Sequence, residues 1–433
     1  LNIIDGGTSA STVTVADADR VVLNDGGTMK QVAVTSLAAY FDDEITAMPN
    51  LVTVGAAGTA SAVAGIPFYS NDTSSMYTAD VSGTDSTAQN NAAYGYTALD
   101  AITTGDNNTA MGSEALSANT TGAGNTAFGR NVLTNNVSGE DNTAVGFNAL
   151  ANNLANNNVA VGYNTMYANT TGARNLAIGF GAYDASDTEN DNIAIGYNAM
   201  TTNTAGGTRN IAIGNYALDA HTSGDDNVAV GYQSMTTNTT GSNNTAIGKG
   251  SLSLNTTGAS NTALGFKALE ANTDADDNTA VGKSALTANT TGASNTALGK
   301  GALQANTTAD NNTAVGVSAL TANTTGAANT TTGFESLNAN TTGEQNTAIG
   351  YRALLLNTTG AGNVAVGHSA LDSNTTADGN MAFGFQSLAA NTTGTRNTAI
   401  GYQAYKASDT ENDNIAIGFQ AMTVNTAGGE KNV

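Results

Sequence analysis

The chain has 433 residues, 50 of them Gly, with 11% charged residues, no Cys, no Trp and a formal net charge of −22. Its 13 Lys and Arg are scattered rather than clustered, which argues against nucleic acid as a partner. Without Cys there is no disulfide and no thiolate metal site, and no apolar run approaches the roughly 18 residues of a membrane-spanning helix.

Residues 1–45 read as a small N-terminal module. Arg20 to Asn24 is a short apolar run, Asp25-Gly26-Gly27 supplies a turn that needs positive φ, and Thr28 to Val34 alternates polar and apolar residues. This pattern predicts a β-hairpin. Ser36 is then placed to cap a short helix through Leu37, Ala38, Tyr40 and Phe41. Ile3-Ile4-Asp5-Gly6-Gly7-Thr8 reads as the tail of an earlier copy of the hairpin. Residues 46–90, rich in Gly, Ala and Ser, read as a transition segment. The sequence begins at Leu1 and not Met, so it is expected to be a processed product or a fragment.

Residues 91–433 carry a phrase of 17 residues, Asn-Thr-Ala-aliphatic-Gly-aromatic-x-Ala-Leu-x-Ala-Asn-Thr-Thr-Gly-x-x, in twenty successive units. A short fixed period means a solenoid whose coils bury a core only by stacking. Positions are numbered from the first Asn. Position 5 is Gly throughout, as at Gly248, Gly265, Gly282 and Gly299, and position 3 is Ala at Ala246, Ala263, Ala280 and Ala297. Alternation along a strand puts positions 3 and 5 on one face of small residues, with positions 2 and 4 on the other. Position 9, as at Leu252, Leu269, Leu286 and Leu303, forms an aliphatic ladder. Asn-Thr-Thr-Gly is turn chemistry. Each unit therefore reads as strand–turn–strand–turn, and the fold class is all-β, a parallel β-roll or β-helix of about 20 coils. A length change of one residue is expected to shift every later side chain. Each coil has a thin core and a small-residue face that would be left in water, so association of the chain with itself is expected.

The phrase at Asn346–Gly350 and Asn397–Gly401 resembles the Asn-Ser-x-Ala-Ile-Gly wording of YadA-like heads of trimeric autotransporter adhesins. The longer wording, through Asn-Thr-Thr-Gly, resembles repeats of bacteriophage tail-fibre proteins. The segment Val21 to Lys30 resembles a small module found upstream in such fibres. These resemblances imply a left-handed solenoid and a homotrimer, intertwined or side by side. They also imply a virion location, with tail or baseplate proteins and a host-surface glycan or protein as further partners. The alternative is a bacterial surface adhesin. An ice-binding solenoid stands far behind, because regular Thr-x-Thr pairs are not maintained.

Catalytic chemistry is sparse in the sequence. No Ser-His-Asp, paired-carboxylate or zinc-spacing pattern is available, so an enzyme is not expected, nor is a cofactor or a metal. His221 and His368 read as solvated surface. Asp225, Asp226, Asp274, Asp276 and Asp277 read as solvated turns, with Ca²⁺ binding between chains as the lesser reading. Asn-Thr-Thr triplets such as those at Asn119 and Asn289 match a glycosylation pattern only because the turn recurs. Tyr183 and Tyr405 lie in an acidic segment that returns once along the array, which duplication explains. With Tyr197, Tyr232 and Tyr351 they are candidates for a surface contact.

Overall fold

The computed structural model describes residues 75–78, 87–204, 206–407, 409–424 and 431–433, together with five short N-terminal strands. The chain divides into two units, Leu1–Ser70 and Asn71–Val433. In the first, β1 (Arg20–Asp25) and β2 (Thr28–Ala33) pair antiparallel with Asp25 opposite Thr28, which is the expected hairpin. A small antiparallel sheet of β3 (Thr53–Val54), β4 (Ala60–Val63) and β5 (Ile66–Pro67) follows, in sequence that predicted no defined element. The expected helix at 36–41 and the hairpin tail at 3–8 lie outside the described residues.

The second unit is a parallel β-solenoid. Twenty strands of three residues, from β6 (Ala92–Tyr94) to β25 (Ile415–Ile417), form one parallel sheet in chain order. Register is one for one: in β17 (Thr279–Val281) and β18 (Thr296–Leu298), Thr279 lies beside Thr296 and Ala280 beside Ala297. Strand spacing of about 4.8 Å gives a stack on the order of 95 Å long.

Each coil has one strand, not the two expected. After position 4 the sign of φ alternates: Gly248 at +139°, Gly250 at +64° and Leu252 at +51° are positive, with Lys249 and Ser251 between them not. This arc is laddered from coil to coil by its own backbone bonds. Gly250 N–H donates to Tyr232 O (3.0 Å), Leu252 N–H to Ala268 O (3.0 Å) and Leu254 N–H to Glu270 O (3.1 Å). A left-handed residue costs roughly 1–2 kcal/mol when it carries a side chain, and more when it is β-branched. Position 9 accordingly holds Leu, Met or Tyr and never Val or Ile.

The core of a coil consists of the position 3 Ala (Thr331 in one coil), the residue at position 8, Ala or Ser except for Val132 and Thr165, and the position 9 side chain. These are buried within one chain in every coil but the last, where Ala421 and Met422 are half-buried. The position 5 glycines do not share the Ala face. A Cβ there would run along the stack into the next coil's glycine carbonyl, as Gly282 would into Gly299. The small residues are therefore consumed inside the coil, and they leave no small-residue face in water to drive association.

Asparagine closes each coil from inside. Asn244 Nδ2 (position 1) donates to Gly258 O (2.8 Å), and Asn255 Nδ2 (position 12) donates to the same oxygen (2.9 Å). Both positions also bond between coils. Asn261 N–H donates to Asn244 Oδ1 (2.9 Å), and Asn255 Nδ2 donates to Asn238 Oδ1 (2.7 Å). The position 12 ladder runs unbroken from Asn238 to Asn391.

Coil length is less rigid than the repeat suggests. The coil from Asn142 has 16 residues and the coil from Asn192 has 18. Register nevertheless holds between β9 (Thr143–Val145) and β10 (Val159–Val161), and between β12 (Ile193–Ile195) and β13 (Ile211–Ile213). The change falls in the corner after position 12, and the inner bond moves with it. Asn142 Nδ2 reaches Ala155 O (2.8 Å) and Asn192 Nδ2 reaches Gly207 O (3.0 Å). A one-residue change in that corner therefore leaves later side chains in place, contrary to the expectation from the repeat.

Candidate functional surface

The outward face of the sheet carries a row of exposed apolar side chains along the solenoid. Positions 2 and 4 point out while position 3 points in, so Ile178, Ile247, Leu298 and Ile349 stand exposed in one row. From β10 to β14 (Val228–Val230) the Thr of position 2 gives way to Val, Leu or Ile, and the apolar stripe widens.

A second row lies at position 6. Phe147, Tyr163, Phe180 and Tyr197 stack with ring centroids 5.3, 5.0 and 5.3 Å apart and planes within 13°. Tyr216, at position 7 of its coil, and Tyr232 at position 6 continue the row edge to face. A second ladder runs through Phe334, Tyr351, His368, Phe385, Tyr402 and Phe419. Where the ladder is broken, Lys249 lies over the Tyr232 ring at 5.5 Å and Lys283 over Phe266 at 5.8 Å. Tyr197, Tyr232 and Tyr351 thus remain exposed. Face-to-face stacking covers the rings within a ladder, so a sugar can stack on a ring face only at ladder ends, while edges and hydroxyls stay presented.

Contrary to the sequence expectation, Tyr183 and Tyr405 are not surface contacts: both are fully buried. They occupy position 9, whose side chain points into the coil. Tyr183 reaches across the core and accepts hydrogen bonds from Asn192 Nδ2 (2.6 Å) and Asn203 Nδ2 (3.1 Å). Ser186 stands at position 12 of that coil, where the shorter side chain makes room for the ring. Burial pushes the Tyr183 phenol well above its usual range. At position 15 the usual Gly is Glu189, also buried. Its carboxylate accepts from the Ser186 hydroxyl, the Asp187 and Thr188 N–H groups (each 3.0 Å) and the Gly206 N–H (3.1 Å) of the longer coil. The recurring acidic segment is thus a corner plug beside an 18-residue coil. Sequence reasoning missed it because Leu→Tyr, Asn→Ser and Gly→Glu compensate one another only in three dimensions.

The other candidates resolve individually. Ala246, Ala263, Ala280 and Ala297 and Leu252, Leu269, Leu286 and Leu303 are fully buried, and Gly248, Gly265, Gly282 and Gly299 each abut the next coil. His221 is not solvated but buried at position 12. His368 lies in the aromatic ladder, 4.8 Å from Tyr351. Asp225 accepts from the Thr208 N–H (2.8 Å) and hydroxyl (2.9 Å), and Asp276 from the Ala259 N–H (2.7 Å). Asp226 is bridged by Arg209 at 2.7 Å, which holds its carboxyl below the usual range. Among the described residues no cluster of three or more His, Asp or Glu is placed to hold a metal ion. Asn119 and Asn289 are buried, and each donates Nδ2 to the carbonyl three residues on, which removes them as glycan acceptors in the folded coil.

Comparisons with known protein families, with curated proteins and with solved structures gave no match.

Proposed function

We propose that this chain is a passive shaft segment of a trimeric phage attachment fibre, giving reach and stiffness rather than catalysis. The observation behind this reading is the in-register stack of twenty coils, β6 to β25, each bonded to its neighbours around its circumference. Such a stack has no hinge of its own, since bending it would break ladders on every side. Host contact then belongs to a tip or to a few variant coils, and tail or baseplate proteins hold one end.

The exposed row of positions 2 and 4 is the surface we assign to self-association. A strip on the order of 95 Å by 10 Å gives about 950 Å² per copy, which a trimer divides between two neighbours and adds up over three copies to about 2,850 Å². Light scattering is expected to give three times the 43.2 kDa of one chain. Replacing Ile247, Leu264 and Leu298 together by Asp is expected to give folded monomers. A wild-type mass of 43.2 kDa overturns the assembly.

A shaft tolerates the loss of whole coils. Deleting Asn278–Ser294 is expected to shorten the stack by one strand spacing, about 4.8 Å, with neighbouring coils in register and host adsorption retained. If adsorption is lost while the fibre stays folded and virion-bound, that coil belongs to a binding site and the passive reading fails.

A further inference from the structure

His221 stands where the inner ladder has Asn, and its hydrogen bonds fix it as neutral. Nε2 lies 2.8 Å from Gly224 O, so it carries the proton; Nδ1 lies 3.3 Å from Asn238 Nδ2, an N–H donor, so it is bare. A second proton on Nδ1 would face that amide N–H. The Asn238 carboxamide cannot turn to offer oxygen, because Nδ2 also donates to Gly241 O (2.9 Å) and Oδ1 accepts from Asn255 (2.7 Å). On the preceding coil Asn203 Oδ1 is buried with no hydrogen-bond partner, since the amide that would donate to it is replaced by the imidazole.

We infer that His221 is an acid-sensitive break in the asparagine ladder: its protonation opens coils 192–226 while the ladder from Asn238 to Asn391 stays closed.

The charged surroundings do not rescue the imidazolium. On its own coil Asp225 alone attracts it, and that carboxylate is engaged by Thr208. Asp226 is paired with Arg209 of the preceding coil, and Asp219 accepts from the Thr201 hydroxyl. One coil further back, the Glu189 carboxylate is held by Ser186, Asp187, Thr188 and Gly206, and the Tyr183 hydroxyl bonds Asn203. The following coil, 227–243, has no Asp, Glu, Lys, Arg or His, and its one phenol, Tyr232, is exposed. Burial is the largest influence on His221 and lowers its pKa, with the Gly224 bond, the Asn238 bond and Asp225 opposing. The opened state, with an ordinary imidazole, therefore binds the proton more tightly than the closed one. The stability contributed by neutral His221 is present above the ordinary value near 6.5 and is lost as pH falls toward the folded value. Each pH unit in that window favours opening by about tenfold.

The test is hydrogen exchange with mass spectrometry on the full chain at neutral pH and at about pH 5, corrected for intrinsic exchange rates. Peptides within 192–226 are expected to lose protection about tenfold on acidification, while those within 244–391 keep theirs. His221→Asn, which returns an amide donor to Gly224 O and Asn203 Oδ1, is expected to abolish the acid response. His368→Asn is expected to leave it intact. An acid response that persists in H221N, that vanishes in H368N, or that is equal along the solenoid overturns the inference. Should H221N fold poorly, an NMR titration of the wild-type His221 ring decides: titration below the ordinary imidazole value supports the break, and titration at or above it overturns it.

Discussion

Gly299→Val is expected to split the solenoid into two blocks that melt separately. Gly299 has φ +141°, and a Cβ there would overlap the carbonyl of Gly316 on the next coil and lie 3.1 Å from Val317 N. Both colliding groups are backbone, and Gly316 O also accepts the Ala319 N–H (3.3 Å) within its own coil, so neither can yield as a flexible side chain would. The substitution combines a backbone conformation that is nearly glycine-only with overpacking, on the order of 3–5 kcal/mol together. In a one-dimensional stack a loss of that size at one interface uncouples the coils on either side. Calorimetry should show two transitions in place of one, with exchange protection lost first at the coils flanking 299. Ala297→Val is expected to be milder, because Thr331 already occupies position 3 of another coil, with its hydroxyl bonded to Ser336. Ser294→Asn, at an exposed corner residue with φ +58°, should be nearly neutral, since Asn accepts left-handed geometry. Equal melting of G299V and S294N would show that the close contact along the stack is not what holds the coils.

Asn306→Leu is expected to have the next largest effect. Asn306 Nδ2 donates to Asn289 Oδ1 (2.8 Å) and Ala309 O (3.0 Å), and its Oδ1 accepts from Asn323 Nδ2 (2.8 Å). Leucine has similar size, so packing changes little and the loss is polar. Ala309 O keeps Asn295 Nδ2 (2.8 Å) and Asn323 Nδ2 keeps Gly326 O (2.9 Å), but Asn289 Oδ1 is left buried without a donor. Three lost bonds and one orphaned acceptor amount to about 2–4 kcal/mol. Denaturant midpoints of N306L and of the exposed control Thr308→Ala measure it: a large drop for the first and almost none for the second. The natural breaks, Ser186 after Asn169 and His221 after Asn203, leave the same orphan on the preceding Oδ1. They show that the array survives occasional gaps, and they mark the coils where it is weakest. An unchanged midpoint for N306L would mean that these amides fill space rather than bind.

Much of the solenoid was legible in the sequence. A 17-residue period fixes the residues per coil, Thr-Ala-Ile marks the strand and sets Ala on the face opposite Thr and Ile, and invariant Gly at position 5 marks a close backbone approach; that the Ala face is the inside of the coil came from the structure. The hairpin of β1 and β2 followed from Asp25-Gly26-Gly27 between a short apolar run and an alternating one. These are local signals, carried by chirality, alternation and turn chemistry, and they survive without knowledge of neighbours.

Only the tertiary structure decided which atoms point inward along the rest of the coil. Leu252 sits in left-handed geometry because the arc must ladder onto coils above and below, a constraint no single repeat contains. That arc replaces the second strand and swings position 9 into the core, which buries Tyr183 and Tyr405. Asn at positions 1 and 12 reads as turn chemistry, since the same amide that closes a corner from outside can close it from within. The signal available was constancy: position 1 is Asn in all twenty units, while positions 16 and 17 vary freely. The buried His221 was illegible for the same reason, because its environment consists of amides that the sequence places one coil away and stacking brings within hydrogen-bond reach.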